Sequence, residues 1–181
     1  MQTHDLLPHP DHPPLGVTAI RVSLDMRDAD WLRLRWRVEG ASRMVIPPLA
    51  GRRHRDELWR TTCFELFVEM PGATNYTEWN FSPSQAWAAY DFTNYREGMA
   101  ERKAARPPVV DWRGGSSGLA LFDAALSRRD LLPLPIRYGV SAVIEEEGGR
   151  KSYWALSHPA EKPDFHDPAC FTGMLAAPER L

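Results

Sequence analysis

The sequence has few of the features that mark secreted, membrane or nucleic-acid-binding proteins. It contains only 2 cysteines in 181 residues, Cys63 and Cys170, which lie far apart and form no CxxC motif, so we expect no disulfide framework. No run of about 18 apolar residues occurs, and residues 1–16 lack the basic and apolar regions of a secretory signal. The formal net charge of −2 gives no general attraction for nucleic acid. We therefore expect a cytoplasmic protein that neither spans a membrane nor binds nucleic acid.

Nucleotide-binding and hydrolytic motifs are also missing. The chain holds no GxGxxG, no P-loop, no GxSxG and no HExxH sequence. This absence favours a non-catalytic protein, and the sequence predicts neither a cofactor nor a bound metal. One short basic cluster is present at 52–55, but Asp56 and Glu57 follow it directly, so we interpret it as a solvated loop, with a contact to an anion or ligand as the alternative.

The chain is rich in alternating apolar and polar residues. Residues 31–39 place an apolar side chain at every second position with an arginine or glutamate between them, and 17–25 and 76–82 follow the same period. A strand sends alternate side chains to opposite faces, whereas a helix would scatter these charges around its circumference. With about nine or ten such short strands and no long amphipathic helix, the sequence predicts an all-β fold. The expected architecture is an antiparallel β-sandwich of two sheets, of jelly-roll or immunoglobulin-like type.

Turn and breaker residues give more local expectations. They predict a short strand at 44–46, a strand at 62–70 with Met70 facing inward, a strand at 86–92, mostly loop over 96–116, and a hairpin whose strands 136–145 and 151–156 flank the turn at 146–150. Residues 1–16 carry four prolines and three histidines and predict a flexible or surface-draped leader. A single domain is then expected over 17–181.

Two stretches, Arg55–Glu65 continuing to Asn80 and Ser157–Asp167, are more polar and aromatic than plain structure requires. Sugars are bound by flat aromatic faces, which cover their C–H patches, and by fixed carboxylate, amide or guanidinium groups, which bond their hydroxyls. The candidate ligand-binding residues are Trp59, Arg60, Glu65, Glu78, Asn80, Trp87, Trp154 and His166. Because their strands are expected to pair, Glu65, Glu78 and Asn80 should project into one shallow site. The alternative for each is a purely structural role, in which the tryptophans lie in the core and the glutamates face solvent.

Three segments carry a family resemblance: DELWRTTCFELFVEM (56–70), YTEWNFSPSQAWAAYDF (76–92) and YWALSHPAEKPDFHDP (153–168). Together they resemble the bacterial DOMON-like domains, which are similar to family 9 carbohydrate-binding modules. The resemblance implies a β-sandwich and a sugar ligand. It also implies sugar contacts from a loop tryptophan and a following strand glutamate, matched here by Trp59 and Glu65, and from a later tryptophan, matched by Trp154.

The leading hypothesis is therefore a non-catalytic module that binds a carbohydrate or a similar polyhydroxylated molecule on a concave sheet face. The first alternative is a protein-interaction module without a small ligand. Less favoured alternatives are a glycoside-processing domain that uses Glu65 and Glu78 as paired carboxylates, a haem-binding domain, and a metal site. The metal site would use four side chains of the C-terminal segment, His158, Asp164, His166 and Asp167.

Overall fold

The alternating segments form β-strands in the computed structural model, which describes residues 1–114, 118–159 and 161–176. Twelve strands occur in these ranges: β1 (Gln2–Pro8), β2 (Ala19–Asp25), β3 (Trp31–Glu39), β4 (Cys63–Glu69), β5 (Tyr76–Phe81), β6 (Trp87–Phe92), β7 (Ala100–Glu101), β8 (Val109–Gly114), β9 (Leu119–Ser127), β10 (Ile136–Glu146), β11 (Arg150–Ala155) and β12 (Gly173–Leu175). The helices described are five single 3₁₀ turns: Ala41–Arg43, Leu58–Arg60, Arg128–Asp130, Glu147–Gly149 and Pro168–Cys170. The all-β prediction is confirmed. None of these helices has the length and apolar character needed to cross a membrane.

The described strands pair antiparallel in one long, curled sheet. The strand order is β7-β6-β5-β4-β10-β11-β1-β2-β3-β9-β8, with β12 beside β10. The sheet divides at β1, because residues 2–6 pair with β2 while Leu7 and Pro8 pair with β11. The two halves approach each other across a shared core, where the ring centroids of Trp36 in β3 and Phe64 in β4 are 5.4 Å apart.

The alternation in β3 is confirmed by the structure. Leu32, Leu34 and Trp36 are buried, and the arginine that follows each of them is exposed. Trp36 packs at the centre of the core against aromatic rings from β4, β5 and β9, namely Phe64, Phe81 and Phe122. The predicted hairpin of β10 and β11 is also confirmed, with Ser141–Glu146 paired to Arg150–Ala155.

The amino-terminal segment differs from the predicted leader. Residues 2–8 form β1, the strand that connects the two halves of the sheet, and Leu6 and His9 are buried. The prolines do not oppose this arrangement, because Pro8 stands at the end of the strand, where a missing N–H donor interrupts little of the ladder. The expectation that residues 1–16 drape over the surface is therefore wrong for this strand.

Of three further local predictions, two are wrong and one is confirmed. Residues 44–46 form only a single bridge, from Met44 to Glu146, instead of a strand. The described residues of the stretch 96–116 lie mostly outside strands, as predicted, although β7 and β8 fall within it. Met70 follows the end of β4 and is 41% exposed, so it does not face inward.

Both faces of β4 and β5 are buried, which positions the candidate site. One face of β4 carries Phe64, Leu66 and Val68 into the shared core. The opposite face carries Cys63 and Phe67 into a second apolar cluster, which the chain between β3 and β4 and the segment after β11 help to form. This second cluster includes Leu58 from the chain between β3 and β4, and Phe165 from the segment after β11.

Candidate functional site

The chain between β3 and β4 forms one wall of an open groove of about 1120 Å³. Backbone bonds hold this wall in place. The N–H of Val45 donates to the carbonyl of Glu145 at 2.8 Å, and the N–H of Ala50 donates to that of Ser84 at 2.8 Å. The Thr62 hydroxyl donates to the Val45 carbonyl at 2.6 Å. The groove is therefore built from a loop that is fixed at several points to the sheet.

A single 3₁₀ turn, Leu58–Arg60, separates a buried residue from an exposed one. Leu58 is 6% exposed and anchors the turn in the second cluster, whereas Trp59 is 49% exposed. The Arg60 guanidinium lies 5.2 Å from the Trp59 ring centroid and donates to the Glu57 carboxylate at 2.7 Å. The turn thus presents an aromatic face next to a guanidinium that lines the groove.

Residues 53–55 run alongside the first residue of β6. The N–H of Trp87 donates to the Arg53 carbonyl at 3.1 Å, and the N–H of Arg55 donates to the Trp87 carbonyl at 2.9 Å. In such an extended segment alternate side chains point to opposite sides. His54 therefore packs edge-on against Trp87, with ring centroids 5.4 Å apart, while Arg53 and Arg55 line the groove and are exposed.

A row of polar side chains lies on the second face of β4, β5 and β10, where the chain between β3 and β4 and the segment after β11 pack over the sheet. Glu65 stands directly opposite Asn80 on one side and Ser141 on the other. The Ser141 hydroxyl donates to the Glu65 carboxylate at 2.9 Å, and the Asn80 amide donates to the Glu78 carboxylate at 2.6 Å. Glu65, Glu78 and Asn80 are 3%, 6% and 1% exposed. The predicted pairing of these residues is confirmed, but the predicted solvent-facing alternative for the two glutamates is wrong.

The two buried carboxyl groups have raised pKa values. Burial is the main cause for Glu65, and the charge of Glu78 adds to it, while the bond from Ser141 opposes it. Burial also raises the pKa of Glu78, against the opposing effects of Asn80 and Arg96. The His166 ring lies 3.8 Å from the Glu78 carboxylate, but burial lowers its pKa to about 4, so it is neutral near pH 7. The pair therefore retains a proton to higher pH than exposed carboxyl groups do.

The segment after β11 closes one end of this cluster. Phe165 is 9% exposed and forms part of the second apolar cluster. Asp164 bonds the Tyr95 hydroxyl and the Arg96 guanidinium in the loop after β6, the second at 2.7 Å, and the His166 ring bonds the Tyr76 hydroxyl at 2.7 Å. Phe165 therefore anchors this segment on the second apolar cluster. In the ranges the structure covers, no three His, Cys, Asp or Glu side chains converge to hold a metal.

The eight predicted ligand-binding residues occupy three different places. Arg60 lines the groove with Trp59 next to it, while Glu65, Glu78 and Asn80 form the buried polar row with His166 at its edge. Trp87 and Trp154 are 7% and 2% exposed and belong to the shared core, and the Trp154 N–H donates to the Ser152 hydroxyl at 2.9 Å. The structure does not join Trp59, Arg60, Glu65 and Asn80 around one open concave site.

The sequence pattern gives little weight to two of the three arginines that line the groove. Arg53 and Arg55 belong to the basic cluster interpreted as a solvated loop, and they are indeed exposed. What the sequence does not reveal is their backbone pairing with Trp87, which fixes both side chains on the groove side. The spacing of two arginines around one histidine is the only signal, and it is weak.

Comparison with known proteins extends this picture at the level of the fold. No protein-family model and no curated protein matches the sequence. Among solved structures, a candidate carbohydrate-binding protein from Bacteroides uniformis aligns with a TM-score of 0.64 at 13% identity, over 94% of this chain and 84% of that one. A family 9 carbohydrate-binding module from Caldicellulosiruptor kristjanssonii, solved with glucose, aligns with a TM-score of 0.44 at 12% identity, over 76% and 66%. The first of these likenesses shows that the two chains share a fold.

Proposed function

We propose that this protein binds a carbohydrate or a similar polyhydroxylated ligand in the groove beside Trp59, without transforming it. The observation that carries the proposal is the exposure of Trp59, which is 49% exposed whereas the other six tryptophans are buried or half-buried. A tryptophan held in solvent on a fixed turn forgoes the stabilisation that burial would give. Such a ring is typical of binding surfaces.

The groups around the ring suit a sugar. The indole face can cover the apolar C–H patch of a pyranose ring, and neighbouring guanidinium groups can donate paired hydrogen bonds to adjacent hydroxyls. The groove of about 1120 Å³ has room for a saccharide of more than one ring. The shared fold with the candidate carbohydrate-binding protein from Bacteroides uniformis supports the same function.

The proposal also assigns the finer architecture and the remaining candidates. It takes the curled sheet as a two-sheet β-sandwich of the DOMON-like type, as the resemblance of 56–70, 76–92 and 153–168 implies. Trp59 and Arg60 contact the ligand. Glu65, Glu78 and Asn80 form the buried polar row beneath the chain between β3 and β4. Trp87 and Trp154 support the core.

Glycan-array screening followed by calorimetric titration of the bound saccharides tests the function. Trp59→Ala should weaken binding about tenfold or more, while the midpoint of thermal unfolding stays nearly unchanged, because an exposed ring contributes little to the core. Trp31→Ala is the matched control, since Trp31 also carries an arginine over its ring, with Arg106 at 6.0 Å, but lies in β3 on the other half of the sheet.

The control variant should bind the saccharide as the unchanged protein does. If no saccharide on the array binds, or if Trp59→Ala binds as tightly as the unchanged protein, the proposed site is wrong. Loss of several kcal/mol of stability on Trp59→Ala would instead identify Trp59 as a structural residue.

A further inference from the structure

The charges along the groove differ in whether they have partners. Its lining includes three arginines and three carboxylates. Two of the carboxylates have partners: Asp56 accepts from the Tyr90 hydroxyl at 2.6 Å, and Glu57 pairs with Arg60 at 2.7 Å. The third, Glu145, is half-buried and lies opposite Lys151 in the β10–β11 register. The side chains of Arg53 and Arg55 form no hydrogen bond or ion pair with any residue that the structure describes.

The backbone positions of these two arginines are held at a fixed spacing. The Arg53 carbonyl and the Arg55 N–H both form backbone hydrogen bonds with Trp87, so the segment 53–55 is extended and fixed to β6. Arg53 and Arg55 then project to the same side, about 7 Å apart along the chain, since a strand advances roughly 3.3 Å per residue. Arginine in such a position suits planar or tetrahedral anions, which accept two parallel N–H bonds.

From this arrangement, and resting on the proposed function, we infer that the saccharide bound in the groove is acidic and that Arg53 and Arg55 recognise its anionic group. A uronate carboxylate and a sulfate ester share the chemistry that this pair would accept. The ring beside the anion would lie on Trp59, which the same wall presents. A neutral sugar would offer these guanidinium groups only hydroxyl oxygens, which accept weaker hydrogen bonds than an anion does, so it should bind less tightly.

The test compares saccharides that differ only in charge. Trigalacturonate and its fully methyl-esterified form share their rings and linkages, and inorganic sulfate represents a free anion. Calorimetry on the full chain should give trigalacturonate an affinity about tenfold or more above that of the ester, and the difference should shrink as NaCl rises from about 0.05 M to about 0.3 M. A panel of sulfated oligosaccharides and their desulfated forms repeats the comparison for the second kind of anion.

The double variant Arg53→Gln/Arg55→Gln should lower the affinity for the acidic saccharide to that for its neutral form. Arg53→Lys/Arg55→Lys keeps the charge but loses the paired N–H geometry, so it should fall between the two. Arg52→Gln is the matched control, because Arg52 is exposed in the same cluster but does not line the groove, and it should change nothing.

The outcomes separate this inference from the function on which it rests. If acidic and neutral saccharides bind equally, or if the double glutamine variant keeps the preference, the inference fails while the proposed function stands. If sulfate alone binds with the same affinity and the same dependence on the two arginines, the groove is a simple anion site and the saccharide is wrong. If no saccharide of either kind binds, both fail.

Discussion

Glu146, at the end of β10, should be a determinant of stability because its buried carboxylate holds the chain that follows β1. The side chain is 0% exposed, and its two oxygens accept the backbone N–H groups of Leu15, Gly16 and Val17 at 2.6, 2.6 and 3.1 Å. A hydrogen bond to a charged group contributes about 1.5–3 kcal/mol, and a buried donor left without an acceptor costs about 1–3 kcal/mol. Because the three bonds share one acceptor group, their contributions do not add fully, and Glu146→Ala should cost about 3–5 kcal/mol.

The next residue in the chain provides the control. Glu147 is exposed and pairs only with Arg43 at 3.1 Å, where both side chains are at least half exposed. Exposed ion pairs contribute about 0–1 kcal/mol, so Glu147→Ala should unfold at nearly the same urea concentration as the unchanged protein. Glu146→Gln keeps one acceptor oxygen and should lose about half as much stability as Glu146→Ala.

Urea unfolding followed by tryptophan fluorescence measures the free energy of unfolding of each variant. Amide hydrogen exchange adds a local measurement, because the N–H groups of residues 15–17 should lose protection in Glu146→Ala before the rest of the sheet opens. A cost below about 1 kcal/mol, equal to that of Glu147→Ala, would refute the reasoning. So would unchanged protection at residues 15–17.

Two further predictions concern the core and the buried polar row. Trp36→Ala should cost about 3–5 kcal/mol in urea unfolding, because the removed ring leaves a cavity against three aromatic side chains; a loss under about 1 kcal/mol would contradict its central position. Glu65 and Glu78 have raised pKa values in the folded state, so their protonated forms favour folding. This contribution to the free energy of unfolding is fully present below the ordinary glutamate pKa of 4.5 and is lost as pH rises through the raised pKa values. Glu65→Gln should therefore raise the thermal midpoint more at about pH 8 than at about pH 5, and an equal change at both would show that Glu65 does not retain its proton.

The parts of the fold that the sequence predicts are those with one face in solvent. In β3 the arginines report the exposed face directly, because a charge at every second position is incompatible with burial on that side. β4 and β5 follow the same alternation, yet both of their faces are buried. A glutamate such as Glu65 has the same appearance in the sequence whether it faces solvent or lies under a cover, so its burial depends on distant segments that no local pattern contains.

The candidate site was less predictable for the same reason. Trp59 stands out because charges surround it in the sequence, and its exposure agrees with that signal. Trp87 and Trp154 have polar neighbours too, but the pairing of β6 with β5 and of β11 with β10 directs their side chains into the core. The role of β1 as the strand between the two halves was hidden by prolines that in fact stand at its end and beyond it.

The position of Trp59 follows from the residues on either side of it. Leu58 is buried in the second cluster, and the Arg60 carbonyl accepts a hydrogen bond from the Lys151 ammonium group in β11, so the turn is fixed both to the apolar layer and to the sheet. A ring held in this way loses little conformational freedom when a ligand covers it, because the turn is ordered before binding. A flexible loop with the same composition would have to be ordered by the ligand itself. Under the proposed function, this rigid support beneath Trp59 would let a shallow, open groove bind a ligand.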